Sequence, residues 1–237
     1  MLVPIVAALI ASAMPTARTI GNFNNHIGLP LSILRVPDDA RVAVLEVGMN
    51  HAGEIAALMG IARAQVGIVT NVGYAHVENF EDGIEGIARA KRELIEGLEP
   101  DGTAILNYED PRVRNFAGVH RGDTLYYGFS PEADVRAEDV TLREDGISFR
   151  VGPNVFRSRL AGRHAVLNVL AGIAAARAFD IDESGLTEAV SALEPGKMRG
   201  ERIERNGIRI VNDCYNSNPE ALRGMLELLR DIPARRR

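Results

Sequence analysis

From residue 42 onward, short uninterrupted apolar runs alternate with segments that have helical spacing. The runs VAVLEV (42–47) and VGIVTN (66–71) are rich in β-branched residues, as is typical of parallel strands covered on both faces. Between them, GEIAALMGIARA (53–64) places apolar residues along one helical stripe. The pattern predicts a β-α-β unit whose two strands are neighbours in one sheet.

The same alternation continues and then changes character. A second helix is predicted over about 83–97, followed by a strand at TAILN (103–107). From about 123 to 160, runs such as TLYYGF (124–129) and GISFRV (146–151) alternate and are broken by Gly, Pro and Asp. We therefore predict an α/β fold, a doubly wound, mostly parallel sheet with an appended antiparallel meander.

Beyond residue 160 the pattern predicts two helices and then a second unit. The helices are GRHAVLNVLAGIAAARAF and DESGLTEAVSAL, and helical spacing stops near EPGKMRG (194–200). ERIERNGIRIVND then predicts a strand pair that turns at Asn-Gly, with a helix from about 218. We expect a domain of residues 1–195 and, over 196–237, the start of a second α/β domain that looks cut short and has little core of its own.

Composition narrows the class of protein. A chain of 237 residues with 46% hydrophobic content can bury a core. Its net charge of −5, its 5% aromatic content and its lack of Trp argue against nucleic acid as a partner. A single cysteine, Cys214, cannot form an internal disulfide, which favours the cytoplasm.

The opening segment MLVPIVAALIASAMP imitates a signal peptide. However, no Lys or Arg precedes its apolar run, and the run is too short to span a bilayer, so we expect no membrane insertion. The alternative is an amphipathic or buried helix whose beginning has been lost.

Polar residues lie at or just beyond the ends of the two apolar runs. In an open α/β sheet, ligands bind in the crevice beyond the carboxyl ends of the strands. Glu46 lies near the end of the first run, with Asn50 and His51 after it, whereas Thr70 and Asn71 end the second run, with His76 and Glu78 after it. A carboxylate and an imidazole that converge on one point suit a divalent cation such as Mg²⁺. This ion needs only a few protein ligands, so water and phosphate oxygens can fill its remaining coordination positions.

Each candidate also has an ordinary interpretation. Glu46 can be a solvated or salt-bridged group, and His76 a hydrogen-bonded surface residue. Lys91 can belong to the charged outer face of its helix. Asn168, inside an apolar helix, either satisfies its amide locally or faces a ligand.

Six segments in order resemble the ATP-dependent Mur ligases of peptidoglycan synthesis, most closely the branch that adds D-alanyl-D-alanine to UDP-N-acetylmuramoyl-tripeptide. The segments are GNFNNHIGLPLSIL (21–34), LEVGMNHAGEI (45–55), TNVGYAHVENF (70–80), GIARAKRELIEGL (86–98), GRHAVLNVLAGIAAA (162–176) and NDCYNSNPEAL (212–222). Related ligases of the cyanophycin-synthetase or folylpolyglutamate-synthetase type, and a non-catalytic pseudoenzyme or binding module, remain as alternatives.

The resemblance implies a magnesium site and a modified lysine. Glu46 matches the glutamate of E-x-G-x-N and His76 the histidine of T-N-x-x-x-x-H, both expected Mg²⁺ ligands. Lys91 matches the last lysine of A-[KR]-A-K, which is expected to be carbamylated by CO₂ and to act as a third ligand.

The resemblance also implies nucleotide and substrate contacts. Asn168 is expected to bind the adenine of ATP, although the first asparagine of that motif is replaced by Ala165. The other expected nucleotide-binding residues are Arg199, Asp213, Tyr215, Asn216 and Asn218. The residues assigned to the substrate side are Asn24, Asn25, Asn50, Thr70 and Asn71.

The implied reaction is amide ligation. ATP phosphorylates the tripeptide carboxylate, the amine of D-alanyl-D-alanine attacks the acyl phosphate, and phosphate leaves. A monomer is expected for the full-length form. The sequence contains no G-x-x-x-x-G-K-[ST] phosphate loop. We therefore expect a fragment that starts after this loop, lacks the N-terminal domain and most of the C-terminal domain, and is inactive alone.

Overall fold

Two parallel sheets form the centre of the computed structural model, which describes residues 2–143, 146–215 and 219–231. In the smaller sheet β1 (Thr16–Arg18) pairs with β2 (Val42–Val44). The larger sheet has four parallel strands in chain order. They are β3 (Val66–Val69), β4 (Thr103–Asn107), β5 (Asp123–Gly128) and β6 (Val135–Arg136).

Helices connect and cover these strands. Eight α-helices lie in the described part of the chain: α1 (Leu2–Ala11), α2 (Gly28–Ile33), α3 (Glu54–Ala62), α4 (Gly83–Glu96), α5 (Pro111–Arg114), α6 (Arg163–Ala178), α7 (Leu186–Ser191) and α8 (Pro219–Asp231). Three short 3₁₀ segments add to them: Val77–Asn79, Asn115–Val119 and Glu183–Gly185.

Strand β4 separates two hydrophobic cores. Ile105 points into the core that contains α1 and α6, whereas Ala104 and Leu106 point into the core built with α4. All three side chains are fully buried. Because successive residues of a strand face opposite sides, a sheet covered by helices on both faces produces this alternation. The predicted α/β class and the doubly wound parallel sheet are confirmed.

The first core depends on close packing between α1 and α6. The opening segment forms α1, with Leu9 and Ile10 buried against the alanine-rich α6. At Gly172 the two helices are so close that a Cβ atom would lie 3.0 Å from the Leu9 side chain. The opening apolar run is thus a buried helix, as one of the two alternatives for it proposed.

No helix in the described ranges combines the length and apolar character that crossing a membrane requires.

Two strands of the expected meander belong to the parallel sheet instead. TLYYGF, predicted as antiparallel, lies in β5, which pairs in parallel with β4, and β6, from the same stretch, pairs in parallel with β5. The side chains of β5 are only partly covered until Tyr127, so its sequence lacks the continuous apolar run that is typical of a parallel strand buried on both faces. The antiparallel sheet consists of β7 (Glu138–Arg143), β8 (Gly146–Val151) and β9 (Asn154–Ser158).

The predicted pairing of the first two runs is also wrong. Strands β2 and β3 lie in different sheets, although α3 connects them as expected. The prediction failed because an apolar run shows that a strand is buried, but it does not identify the strand beside it.

The last described elements follow the predicted order. Strands β10 (Glu201–Arg205) and β11 (Ile208–Asn212) form an antiparallel hairpin, and α8 follows. Asn206 and Gly207 have φ angles of 52° and 74°, as a two-residue type I′ turn requires. The boundary at 195/196 between two domains stays a prediction.

Replacing Gly172 by Val tests the contact between α1 and α6. We expect the free energy of unfolding to fall by about 1–3 kcal/mol, because the added methyl groups overpack a closed interface. Gly60 of α3 offers a matched control, since a Cβ atom there would meet nothing within 4 Å. Gly60→Val should change stability by less than about 0.5 kcal/mol in urea denaturation. Equal losses in the two variants would contradict the packing argument.

Candidate active site

The segment after β3 lies at the carboxyl end of the four-stranded sheet. Thr70 is half-buried and Asn71 is exposed. The carbonyl oxygen of Thr70 accepts a hydrogen bond of 2.7 Å from the Asn107 side chain at the end of β4. His76 is exposed further along and has φ of 66°, an unusual conformation for a residue other than glycine.

Lys91 of α4 reaches this segment. Its Nζ atom donates a hydrogen bond of 2.6 Å to the carbonyl oxygen of Asn71. Burial lowers the pKa of Lys91, and the negative charge of Asp110 only partly opposes that shift. The amine therefore points toward the strand ends rather than belonging to the charged outer face of the helix.

Glu46 lies two residues beyond β2 and is held by the segment around Asn24. Its Oε1 atom accepts a hydrogen bond of 3.0 Å from Asn24 Nδ2, and its backbone N–H donates to Thr19 Oγ1. The Asn24 carbonyl also accepts a hydrogen bond from the N–H of Gly48. Asn24, expected on the substrate side, thus orients the carboxylate of the expected metal ligand.

The other two asparagines near these loops have local contacts. Asn25 Oδ1 accepts hydrogen bonds from the backbone N–H groups of Ile27 and Gly28 at the start of α2. Asn50 is exposed, and its backbone N–H donates to Glu54 Oε2 at 2.7 Å. Its side chain remains available to solvent or a ligand.

The expected ligands have donor atoms that suit magnesium, but they do not form a complete set of protein ligands around one point. Among the described residues, no three His, Cys, Asp or Glu side chains are grouped so that they could hold a metal ion. Mg²⁺ is commonly bound by one or two carboxylates together with phosphate oxygens and water. By the chemistry of their donors, Glu46 and His76 suit such a site, and a carbamate on Lys91 would add further oxygen donors.

The start of α6 presents further polar groups. The guanidinium of Arg163 lies over the ring of Phe129, 3.8 Å from its centroid. Asn168 is half-buried, and its amide forms no hydrogen bond with any residue that the structure describes. Local satisfaction of this amide, one of its two interpretations, is therefore not observed. Ala165, where the resembling motif has its first asparagine, is fully buried.

Glu109 connects the ends of β4 and β5. Burial opposes ionisation of its carboxyl group, but hydrogen bonds from the N–H groups of Phe129 and Ser130 and from the Ser130 hydroxyl outweigh it, together with the nearby charge of Arg163. The pKa of Glu109 is consequently lowered.

The candidates after residue 195 form two contacts. Arg199 lies over the ring of Tyr215 at 3.9 Å, and the N–H of Tyr215 donates to the Met198 carbonyl. Burial lowers the pKa of His164 at the start of α6, while the negative charge of Asp213 opposes the shift. Asp213 is therefore near α6. Asn216 and Asn218 lie outside the described residues.

Sequence reasoning missed the polar residues at the carboxyl end of β4. Asn107 is the last residue of the predicted strand TAILN, Glu109 and Asp110 follow shortly after it, and all three contact neighbouring strand ends. Their position at the end of a buried strand was a usable signal.

A second missed signal is the small number of lysines among the cationic side chains. The chain has two lysines, Lys91 and Lys197, against 25 arginines.

The chain matches a known family model over most of its length. Residues 3–176 match the Mur ligase middle domain. A UDP-N-acetylmuramoyl-tripeptide–D-alanyl-D-alanine ligase of Bacillus subtilis (strain 168) is 35% identical over 96% of this chain and 50% of its own length. The chain thus spans about half the length of the curated relatives it matches.

Solved structures give the same picture. MurF from Acinetobacter baumannii superposes with a TM-score of 0.91 at 28% identity, over 97% of this chain and 51% of that chain. The MurF ligase from Thermotoga maritima, solved in complex with ADP, has a TM-score of 0.87 at 28% identity, over 98% of this chain and 55% of that one.

Glu109→Gln tests the contacts between the strand ends. A carboxylate with a lowered pKa stabilises the fold above its unfolded pKa, near 4.3, and this stability is lost as the pH falls through the folded value. We expect Glu109→Gln to reduce stability at pH 7 by less than about 1 kcal/mol, since solvent screens this exposed group. The difference from the unsubstituted chain should vanish as the pH falls below the folded pKa.

Urea denaturation across pH 3 to 7 gives the measurement. Glu132→Gln is the matched control, because Glu132 is exposed and accepts no hydrogen bond from the described residues. A difference between Glu109→Gln and the unsubstituted chain that stays constant over this range would contradict the assignment.

Proposed function

Because the chain belongs to the Mur ligase family, we propose that it supplies the central part of an ATP-dependent amide ligase that joins D-alanyl-D-alanine to UDP-N-acetylmuramoyl-tripeptide. The observation that carries the proposal is the Lys91 amine, held at the strand ends of a doubly wound sheet by the Asn71 carbonyl. Ligands of such sheets bind beyond the carboxyl ends of the strands.

Lys91 is proposed to react with CO₂ to form a carbamate. Only a neutral amine can attack CO₂, and burial lowers the pKa of Lys91, which increases the neutral fraction. The chain otherwise uses arginine for nearly all of its cations, and a guanidinium remains protonated. A lysine at this position allows chemistry that arginine cannot perform.

Glu46, His76 and carbamylated Lys91 would hold Mg²⁺, which supplies charge neutralisation at phosphate groups when it is bound. The hydrogen bond from Asn24 keeps one oxygen of Glu46 oriented and leaves the other available. His76 is exposed in the loop that follows β3, as a residue that meets a ligand must be.

The nucleotide is proposed to bind along the start of α6 and the adjoining segment. Asn168, with no hydrogen-bond partner among the described residues, would contact the adenine. Arg199, stacked on Tyr215, and Asp213 near His164 would face the rest of the nucleotide. The Thermotoga maritima ligase was solved with ADP, which supports a nucleotide site in this fold. Asn216 and Asn218 remain predictions from the sequence.

The proposed reaction forms an acyl phosphate on the tripeptide and then an amide. The protein contributes by positioning the reactants and neutralising charge. Asn25, Asn50, Thr70 and Asn71 are proposed on the substrate side. A cytoplasmic location and a monomeric state belong to the same proposal. The folylpolyglutamate-type and cyanophycin-type alternatives and a non-catalytic module are less well supported, since the relative at 35% identity is a D-alanyl-D-alanine ligase.

A chimeric enzyme tests the proposed function. This chain would replace the matching half of the Bacillus subtilis ligase, and phosphate release would be measured with ATP, D-alanyl-D-alanine and the UDP-linked tripeptide. We expect release that requires both substrates. A chimera that folds, as judged by circular dichroism, but releases no phosphate with these substrates would contradict the proposal.

Lysine variants of the chimera test the carbamate. Lys91→Ala and Lys91→Arg should each lower the rate by about 10²–10³-fold, because the anionic group is lost in both. Lys197→Arg, at the other lysine of the chain, should leave the rate unchanged. Full activity of Lys91→Arg would exclude a carbamate at this position.

Titration of the 237-residue chain with Mg-ATP tests the role of the phosphate loop, whose motif the sequence does not contain. The backbone amides and the lysine of such a loop make most of the contacts to the phosphates. We expect isothermal titration to detect no micromolar binding by the chain alone. Micromolar affinity would show that the described crevice binds ATP without this motif.

A further inference from the structure

Three consecutive residues after β3 are each bonded by a side chain from another element. Asn107 donates to the Thr70 carbonyl, Lys91 donates to the Asn71 carbonyl, and Asp110 accepts from the Val72 N–H. The three donor-to-acceptor distances are 2.7, 2.6 and 2.7 Å. Apart from the β3–β4 ladder, residues 70–73 form no backbone-to-backbone hydrogen bond with the described part of the chain. Side chains therefore fix this segment.

Asn107 is suited to this contact because both ends of its amide are occupied. Its Nδ2 atom donates to the Thr70 carbonyl, and its Oδ1 atom accepts from the N–H of Glu109 at 3.0 Å. The side chain is only 6% exposed. A buried amide with both ends bonded has one favourable orientation, so it holds the carbonyl of Thr70 in one place.

Asp110 connects the same segment to α5. Its Oδ1 atom caps α5 by accepting from the N–H groups of Arg112 and Val113, and its Oδ2 atom accepts from Val72 N–H. The cap fixes the carboxylate, and the fixed carboxylate then fixes Val72. Its negative charge also faces Lys91, whose pKa it raises against the effect of burial.

We propose that Asn107 and Asp110 are positioning residues that fix the backbone of residues 70–72 and thereby hold the Lys91 amine at the strand-end crevice. The catalytic meaning of this arrangement rests on the proposed ligase function. Neither residue needs to touch the substrate, since each acts through the carbonyl or N–H that it orients.

Substitution of Asp110 by Asn or Ser distinguishes its contact with the 70–72 segment from its role as the cap of α5. Both replacements cap helices well, so α5 keeps its first contacts. Asn has a single acceptor oxygen, which the cap uses, and Ser is too short to reach Val72. Each variant therefore loses the contact to the 70–72 segment and the charge that faces Lys91. Asn107→Ala removes the other contact independently.

Two measurements on the 237-residue chain report the result without any ligand. Labelling with ε-¹³C-lysine gives two side-chain resonances, because Lys91 and Lys197 are the only lysines. We expect the Lys91 resonance to move toward that of the exposed Lys197, which should stay in place. The amide of Val72 should exchange with solvent at least about tenfold faster in the Asp110 variants, because its charged acceptor is lost.

Asp182→Asn provides the matched control. Asp182 caps the 3₁₀ segment Glu183–Gly185 by accepting from Ser184 N–H, but it has no hydrogen bond to the 70–72 segment. This variant should change neither measurement.

Unchanged Val72 exchange and an unmoved Lys91 resonance in both Asp110 variants would overturn the proposal. Faster exchange with an unmoved Lys91 resonance would overturn it as well, because the side chains would then hold a turn without positioning the amine. Both readouts are independent of nucleotide and substrate. A chimera without phosphate release would count against the proposed ligase function and leave this result unaffected.

Discussion

A strand buried on both faces leaves its ends as the positions where polar side chains can reach a ligand. β4 has this character, since Ala104 and Leu106 face one core and Ile105 the other. Polar groups begin at Asn107 and continue through Asp110, at the carboxyl end of the strand. The two-sided core thus determines where the chemistry of the molecule can be placed.

The same constraint explains why the candidate site is assembled from several short segments. β3 ends at Thr70, β4 ends at Asn107, and α4 brings Lys91 to the same crevice. Each segment alone would be free to move, because loop backbone has few partners of its own. Hydrogen bonds from neighbouring side chains replace the missing ladder, so order at the crevice depends on the strands beside it.

Much of this arrangement was predictable from the sequence. Apolar runs and helical stripes indicated the strands and helices of the parallel sheet, and the Asn-Gly pair indicated the hairpin turn that the structure contains. The hydrophobic pattern could not reveal that β5 pairs with β4 or that β2 and β3 lie in different sheets. Strand pairing depends on distant parts of the chain. Glu46 and Lys91 were found from motifs. The position of Asp110 after a buried strand was a usable signal, but its contact with the Val72 N–H, 38 residues away in sequence, was not predictable.

The separation of β2 from β3 has a consequence for how this chain behaves in solution. Each of these strands pairs on one side only, so each has a row of main-chain donors and acceptors that the described sheets leave unused. Proteins usually protect such rows with lysine, proline or a bulge. The sequences VAV and VGIV contain no such protection. Strand addition from a neighbouring polypeptide is therefore a possible route to aggregation at these two edges.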